Sequence, residues 1–294
     1  MKPTPQTNHE QMAIWNGRAG CAWVDLQQLL DRMLKPFEDK LVEVVDAAAS
    51  RRVLDIGCGT GSTTIAVATR LGAKGHCVGV DISEPMIAIA RTRAEGQDVP
   101  ASFVCTDAQI YPFEPAKFDM IMSRFGVMFF DDPVQAFSNL LRAASDHAEL
   151  RIIAWRSAAE NPFMTAAERA AAALLPDIPP RQPAAPGQFA FADRHHVSSI
   201  LRKSGWAEID IQPTETECSL PEADLVKYFT RLGPVGSILA EVDEHTRKQL
   251  IETIRTAFDP YVHGTEVRFT AACWMIGARA PAASAAPRKS RGHV

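Results

Sequence analysis

Three aspartates stand out by position: Asp55, Asp81 and Asp107 each fall within or just after a short β-forming run, namely Val53 to Ile56, Cys77 to Val80 and Phe103 to Cys105. The first opens Asp55-Ile56-Gly57-Cys58-Gly59-Thr60-Gly61, a glycine-rich turn of the kind that lets backbone approach a ligand. A dinucleotide turn needs G-x-G-x-x-G with the pyrophosphate on the next helix's amino end. Here Ser62 holds the third-glycine position, Gly61 comes one residue early, and the Asp55 carboxylate would repel a pyrophosphate while attracting a cation. A positively charged, phosphate-free nucleoside fits better. Asp81 lies 20 residues after Gly61 and can accept both hydroxyls of a ribose. Asp107 can accept the exocyclic amine of adenine, with the Ala108 backbone beside it for a ring nitrogen. Any one of these acids reads equally well as a helix cap or solvated turn residue. Chance explains three of them at successive strand ends poorly.

The elements that must position them alternate. The strand at 53–56 is followed by a helical stretch from Thr63 to Leu71, and the strand at 77–80 by a helix begun by Ser83 and Pro85 and closed by Gly96. Phe118 to Met122 and Leu150 to Ala154 read as further buried strands, with a helix between them begun by Asp132-Pro133. Such alternation over 52–155 predicts a doubly wound parallel sheet covered on both faces, with ligands at its carboxyl edge. Upstream, the apolar spacing from Gln27 to Val45 predicts amphipathic helices broken at Pro36. Downstream, five prolines within 176–189 predict a loop or lid. A helix at 193–204, a strand at 209–212, two helical stretches at 222–232 and 242–258 and a last strand at 269–278 complete the chain. The small, Pro-rich, basic end reads as frayed.

Composition narrows the partners. The 294 residues carry 31 Lys plus Arg against 35 Asp plus Glu, a net charge of −4, which offers no general footprint for a phosphate backbone or an anionic membrane. No stretch reaches the ~20 apolar residues of a spanning helix, and the first residues lack a signal's apolar core. The expectation is a cytoplasmic protein with a small-molecule substrate, no nucleic acid and no membrane partner. The six cysteines form no CxxC pair, so reduced thiols and no structural metal are expected.

In order and spacing VLDIGCGTGSTT, GVDIS, CTDAQIYPF and FDMIMSRFGVMFF resemble the motifs of class I S-adenosylmethionine-dependent methyltransferases. WNGRAG, FAFAD and LGP near residue 233 resemble the bacterial small-molecule type, and the likeness covers residues 12–279. The resemblance implies S-adenosylmethionine as cofactor and a Rossmann-like, doubly wound, mostly parallel seven-stranded sheet. It implies an N-terminal helical cap over 1–50, a cofactor domain over 51–279 with lid insertions at about 156–192 and 213–266, and a disordered tail over 280–294. By it, Asp55 and the backbone of Gly57, Cys58, Gly59 and Gly61 hold the methionine part, with Ser123 bordering that group. Asp81 takes the ribose, Ile82 and Met86 the adenine face, and Asp107 with Ala108 the adenine edge. One departure is visible: Ser145-Asp146-His147-Ala148 stands where relatives carry Gly-Gly before the fifth strand.

Methyl transfer from a sulfonium needs alignment and exclusion of water more than a catalytic triad, so no catalytic residue is assigned. His195 and His196 read better as surface or capping residues than as bases. Trp15, Trp23, Phe125, Met128 and Phe129 are candidates for an apolar acceptor pocket, although such runs are more often plain core. Arg124 follows a buried strand amid aromatics, so its guanidinium needs an acceptor: a protein acid such as Asp131 or an anionic substrate. Two further readings keep the cofactor: cyclisation or alkyl transfer releasing methylthioadenosine, or binding without turnover.

Overall fold

In the computed structural model, residues 8–49, 51–172, 174, 185–239 and 241–282 are described. The strands are β1 (Arg52–Ile56), β2 (His76–Asp81), β3 (Ala101–Cys105), β4 (Phe118–Arg124), β5 (Ala144–Trp155), β6 (Ala207–Pro221), β7 (Val262–His263) and β8 (Glu266–Arg279). The helices are α1 (His9–Asn16), α2 (Arg18–Asp25), α3 (Gln27–Glu43), α4 (Ser62–Leu71), α5 (Glu84–Glu95), α6 (Pro133–Ala143), α7 (Ala166–Ala171), α8 (Arg194–Lys203), α9 (Leu225–Arg231), α10 (Gly233–Ile238) and α11 (Glu244–Ala257). None of the described helices is long and apolar enough to cross a membrane.

The sheet order is β3-β2-β1-β4-β5-β8-β6, the seven strands that the sequence predicts, with the two-residue β7 added as a hairpin on β8. From β3 through β5 every pairing is parallel, whereas β8 runs antiparallel to both neighbours. β1 is buried along all but its first residue, which explains the unbroken Val-Leu-Asp-Ile run. The chain leaves β1 towards β2 and β3 on one side and returns as β4 and β5 on the other. A crevice therefore opens beyond the carboxyl ends of β1 and β4.

Three local features differ from the sequence reading. α3 is not broken at Pro36 but carries it inside the helix. Burial of Leu29, Leu30, Met33, Leu34, Phe37 and Leu41 offsets the roughly 3 kcal/mol that an interior proline costs. Ser83 precedes α5 without capping it, because its hydroxyl donates to the Trp15 carbonyl at 2.7 Å and so ties the N-terminal helices to the sheet edge. β6 continues beyond Gln212 to Pro221, paired with β8 down to Pro221↔Glu266, so the two strands overhang the sheet as a ribbon that carries α9 to α11. The prolines at 176, 179, 180 and 183 lie outside the described residues.

The departure before the fifth strand has a simple structural counterpart. β5 starts at Ala144, its register against β4 shifts between Phe118 and Met120, and His147 within the irregularity has φ +62°. An exposed histidine thus adopts the backbone that glycine adopts without cost. His147→Gly is expected to raise stability by about 0.5–1 kcal/mol, the left-handed penalty less the larger unfolded-chain entropy of glycine. Chemical denaturation checks this, and a clear loss of stability would mean that the imidazole contributes contacts of its own.

Candidate active site

The glycine turn owes its shape to left-handed backbone at Gly57, Gly59 and Gly61, with φ of +66°, +55° and +84°. Their surroundings differ. A Cβ on Gly57 would lie 2.5 Å from Cα of Gly126, so the loops after β1 and β4 touch backbone to backbone. A Cβ on Gly61 would meet the Ala90 methyl at 2.9 Å and the Phe103 ring at 3.0 Å, which lets α4 pack closely on its neighbours. On Gly59 it would meet only Met86 Sδ at 3.6 Å, because that backbone faces open cleft.

The cleft has a volume of about 630 Å³. Asp55, Gly57, Cys58, Gly59, Asp81, Ile82, Met86, Asp107 and Ala108 all line it, as do Trp15, Arg124, Phe125 and Met128. Gly61 and Ser123 are not on its wall. Ser123 is wholly buried, donates to the Ile56 carbonyl at 2.7 Å and accepts the Gly126 N–H at 3.1 Å, so it fastens the β1 and β4 loops together. His195 and His196, at the start of α8, are also absent from the wall.

Each acid is held in a particular way. Asp81 accepts the Gly59 N–H at 2.8 Å on one oxygen and the Ser83 N–H at 2.9 Å on the other. Burial raises its pKa against these stabilising backbone donors. Asp55 accepts the Thr64 hydroxyl at 2.7 Å, and burial pushes its carboxyl up to about 7, countered by Thr64 and by the field of Arg124. Asp107 Oδ1 accepts Asn8 Nδ2 at 2.8 Å and the Gln109 N–H at 2.9 Å, while Oδ2 has, among the described residues, only the long Asn8 N–H contact at 3.4 Å. Oδ2 thus keeps room for an external donor. The Ala108 carbonyl is fixed by Asn139 Nδ2 at 2.9 Å.

Residues without a sequence signal close this wall from the amino-terminal side. Asn8 bridges Asp107 to the Asp131 N–H, which donates to its Oδ1 at 2.8 Å. Asn16 donates to the Ile82 carbonyl and accepts the Glu84 N–H, each at 2.9 Å. Arg93 donates to the Thr60 carbonyl and pairs with Asp31, both at 2.7 Å, and Glu38 of α3 accepts the Ser62 hydroxyl. Polar residues scattered through the first 40 positions acquire these roles only when the helices dock. Thr63 also lines the cleft, and its hydroxyl is buried without a partner. That orphaned group and the open face at Gly59 are where a ligand would be expected to supply contacts.

The opposite wall is apolar. Phe125 stacks on Trp155 at 4.5 Å, Trp15 meets Phe129 edge-on at 5.0 Å, and Phe163, Tyr228, Phe229 and Phe258 complete the wall under the ribbon-borne helices. Burial pushes the Tyr228 phenol up. The proposed pair between Arg124 and Asp131 does not form. Asn8 holds only the backbone N–H of Asp131, and Arg124 lines the cleft and donates to the Leu34 carbonyl of α3 at 3.3 Å.

Residues 53–146 match a family model described as a methyltransferase domain. The matched segment holds the motifs that carry the sequence resemblance, from VLDIGCGTG to FDMIMSRFG. The chain is 34% identical over 104 residues to the aklanonic acid methyltransferase DauC of Streptomyces sp. strain C5, covering 35% of this chain and 47% of that one. To the demethylmenaquinone methyltransferase of Lactiplantibacillus plantarum it is 33% identical over 108 residues, covering 36% and 46%. The chain thus spans about half the length of these curated relatives. In fold it is similar to the YcgJ protein of Bacillus subtilis, with a TM-score of 0.56 at 18% identity, covering 84% of this chain and 99% of that one. The matched segment spans β2 to β4, all but the first residue of β1, and all three cleft acids.

Proposed function

We propose that the cleft binds S-adenosylmethionine and directs its methyl group onto a small-molecule acceptor held against the aromatic wall. The observation that carries this reading is the gathering of Asp55, Asp81 and Asp107 on one wall, beside a glycine turn whose open face is at Gly59. In this reading Asp81 takes the ribose hydroxyls, Asp107 and Ala108 the adenine edge, and Ile82 and Met86 the adenine face. Asp55, Thr63 and the backbone of Gly57 to Gly59 take the methionine end. When bound, the cofactor supplies an electrophilic methyl carbon on a positively charged sulfur.

The chain's own residues align and enclose. α1 to α3 and the helices on the ribbon cover the cleft, and the rings of Trp15, Phe125 and Phe129 exclude water and present π faces to a cation. The two curated relatives are named for aklanonic acid and demethylmenaquinone, which supports a small organic acceptor. A cytoplasmic setting with no nucleic-acid or membrane partner belongs to the same reading. It is supported by the net charge of −4 and by free thiols at all six cysteines, four of them buried.

Incubation with S-adenosylmethionine and a fractionated metabolite extract, followed by mass spectrometry of the nucleoside products, tests the proposal. S-adenosylhomocysteine is expected. Methylthioadenosine in its place would transfer the assignment to cyclisation or alkyl transfer, and tight binding with neither product would make the protein a sensor.

A further inference from the structure

Arg124 is a charged cleft residue to which the cofactor reading assigns no contact. It ends β4, lines the cleft and donates one Nη1 contact to the Leu34 carbonyl at 3.3 Å. Among the described residues it has no carboxylate at ion-pair distance. A guanidinium carries five N–H donors in a fixed plane, and in an aromatic-walled cleft the remaining ones are costly to leave without an acceptor.

The turn that presents it is strained and pinned. Phe125, a bulky residue, has φ +66°, where such side chains are genuine outliers. It is held there by its N–H to the Ile153 carbonyl at 2.9 Å, by stacking on Trp155 and by an edge contact with Phe37 at 5.1 Å. Gly126, one residue on, is locked against Gly57. Strain of this kind persists only where its surroundings enforce it, and it collects where a side chain must be aimed. Next to the strained residue in sequence is Arg124, which lines the cleft together with the glycine turn, Phe125 and Trp155.

We propose that Arg124 is the recognition site for an anionic oxygen, carboxylate or phenolate, on an aromatic acceptor whose ring lies along the Phe125 side of the cleft. This inference rests on the methyl-transfer reading and names its substrate class. A planar guanidinium matches such an oxyanion through paired N–H bonds. The reaction then balances simply. A lone pair of the oxyanion forms the new O–C bond as the C–S bond breaks, its electron pair stays on sulfur, and no proton has to be removed.

The test uses the full chain saturated with S-adenosylhomocysteine, titrated calorimetrically with 1-naphthoate and with its neutral isostere 1-naphthamide. The wild type is expected to bind the acid at least tenfold more tightly. That preference should vanish in Arg124→Gln and partly return in Arg124→Lys. Equal affinities in the wild type, or no uptake of naphthoate, would overturn the proposal without recourse to any variant. It is equally overturned if Arg124→Gln loses S-adenosylhomocysteine tenfold yet keeps methylthioadenosine, which has no carboxylate, since Arg124 would then serve the cofactor. Failure of the wild type to bind S-adenosylhomocysteine strikes the methyl-transfer reading instead, and the comparison of acid and amide on the bare protein still decides the role of Arg124.

Discussion

Gly57→Ala is expected to destabilise the protein by about 2–5 kcal/mol, whereas Gly59→Ala, two residues on, should cost only about 1–2 kcal/mol and still abolish cofactor binding. Both positions have positive φ, so both substitutions carry the left-handed penalty. The difference lies in what the new methyl meets. At Gly57 it would sit 2.5 Å from Cα of Gly126, backbone against backbone, where neither loop can yield without disturbing the fastening through Ser123. At Gly59 it would project into the cleft with Met86 Sδ at 3.6 Å, which the folded protein tolerates. Urea unfolding paired with titration by S-adenosylhomocysteine measures the two effects separately. A Gly59→Ala protein that still bound the ligand normally would remove the glycine turn from the cofactor site.

The second large effect concerns Asp55. Its carboxyl is pushed from 3.8 to about 7 by burial, so between those values the native state holds a proton that the unfolded chain has released. Stability from this group is therefore present below about pH 4 and is lost as pH rises through 7, a decline of at most roughly 4 kcal/mol. Asp55→Asn cannot ionise but still offers an oxygen to the Thr64 hydroxyl, so it should stabilise the protein by about 2–4 kcal/mol at pH 8 and by much less at pH 5. It should also weaken the cofactor, because a carboxylate that faces a cationic amino group is worth most when charged. Denaturation curves of both proteins at the two pH values supply the check; a pH-independent difference between them would mean that Asp55 ionises normally.

The sequence and the structure agree most closely where local signals are strong. The five parallel strands were readable because buried parallel strands are short apolar runs, and Asp55, Asp81 and Asp107 fall at or just after the ends of the first three. Gly61 and Ser123 share that neighbourhood but face away from the cleft, since position along the chain does not specify which side of a turn a residue serves. The continuity of α3 through Pro36 was hidden because the opposing term is tertiary burial. Asn8, Asn16 and Asp31 gain their partners from segments more than 60 residues distant, and no short-range pattern carries that information. For the same reason the sequence offered Asp131 to Arg124 as a near neighbour, whereas in the fold Arg124 reaches the Leu34 carbonyl, 90 residues away.

The overhanging ribbon of β6 and β8 has a consequence for the protein's history and for its engineering. Everything between Pro221 and Glu266 leaves and re-enters the sheet at a single rung, so this cover of the cleft is an insert with adjacent ends that docks on α7 and, through Arg231 and Asp25, on α2. Such a cassette can be exchanged for one of different shape if the faces of α7 and α2 that receive it are matched, while the loops after β1, β2 and β3 stay untouched.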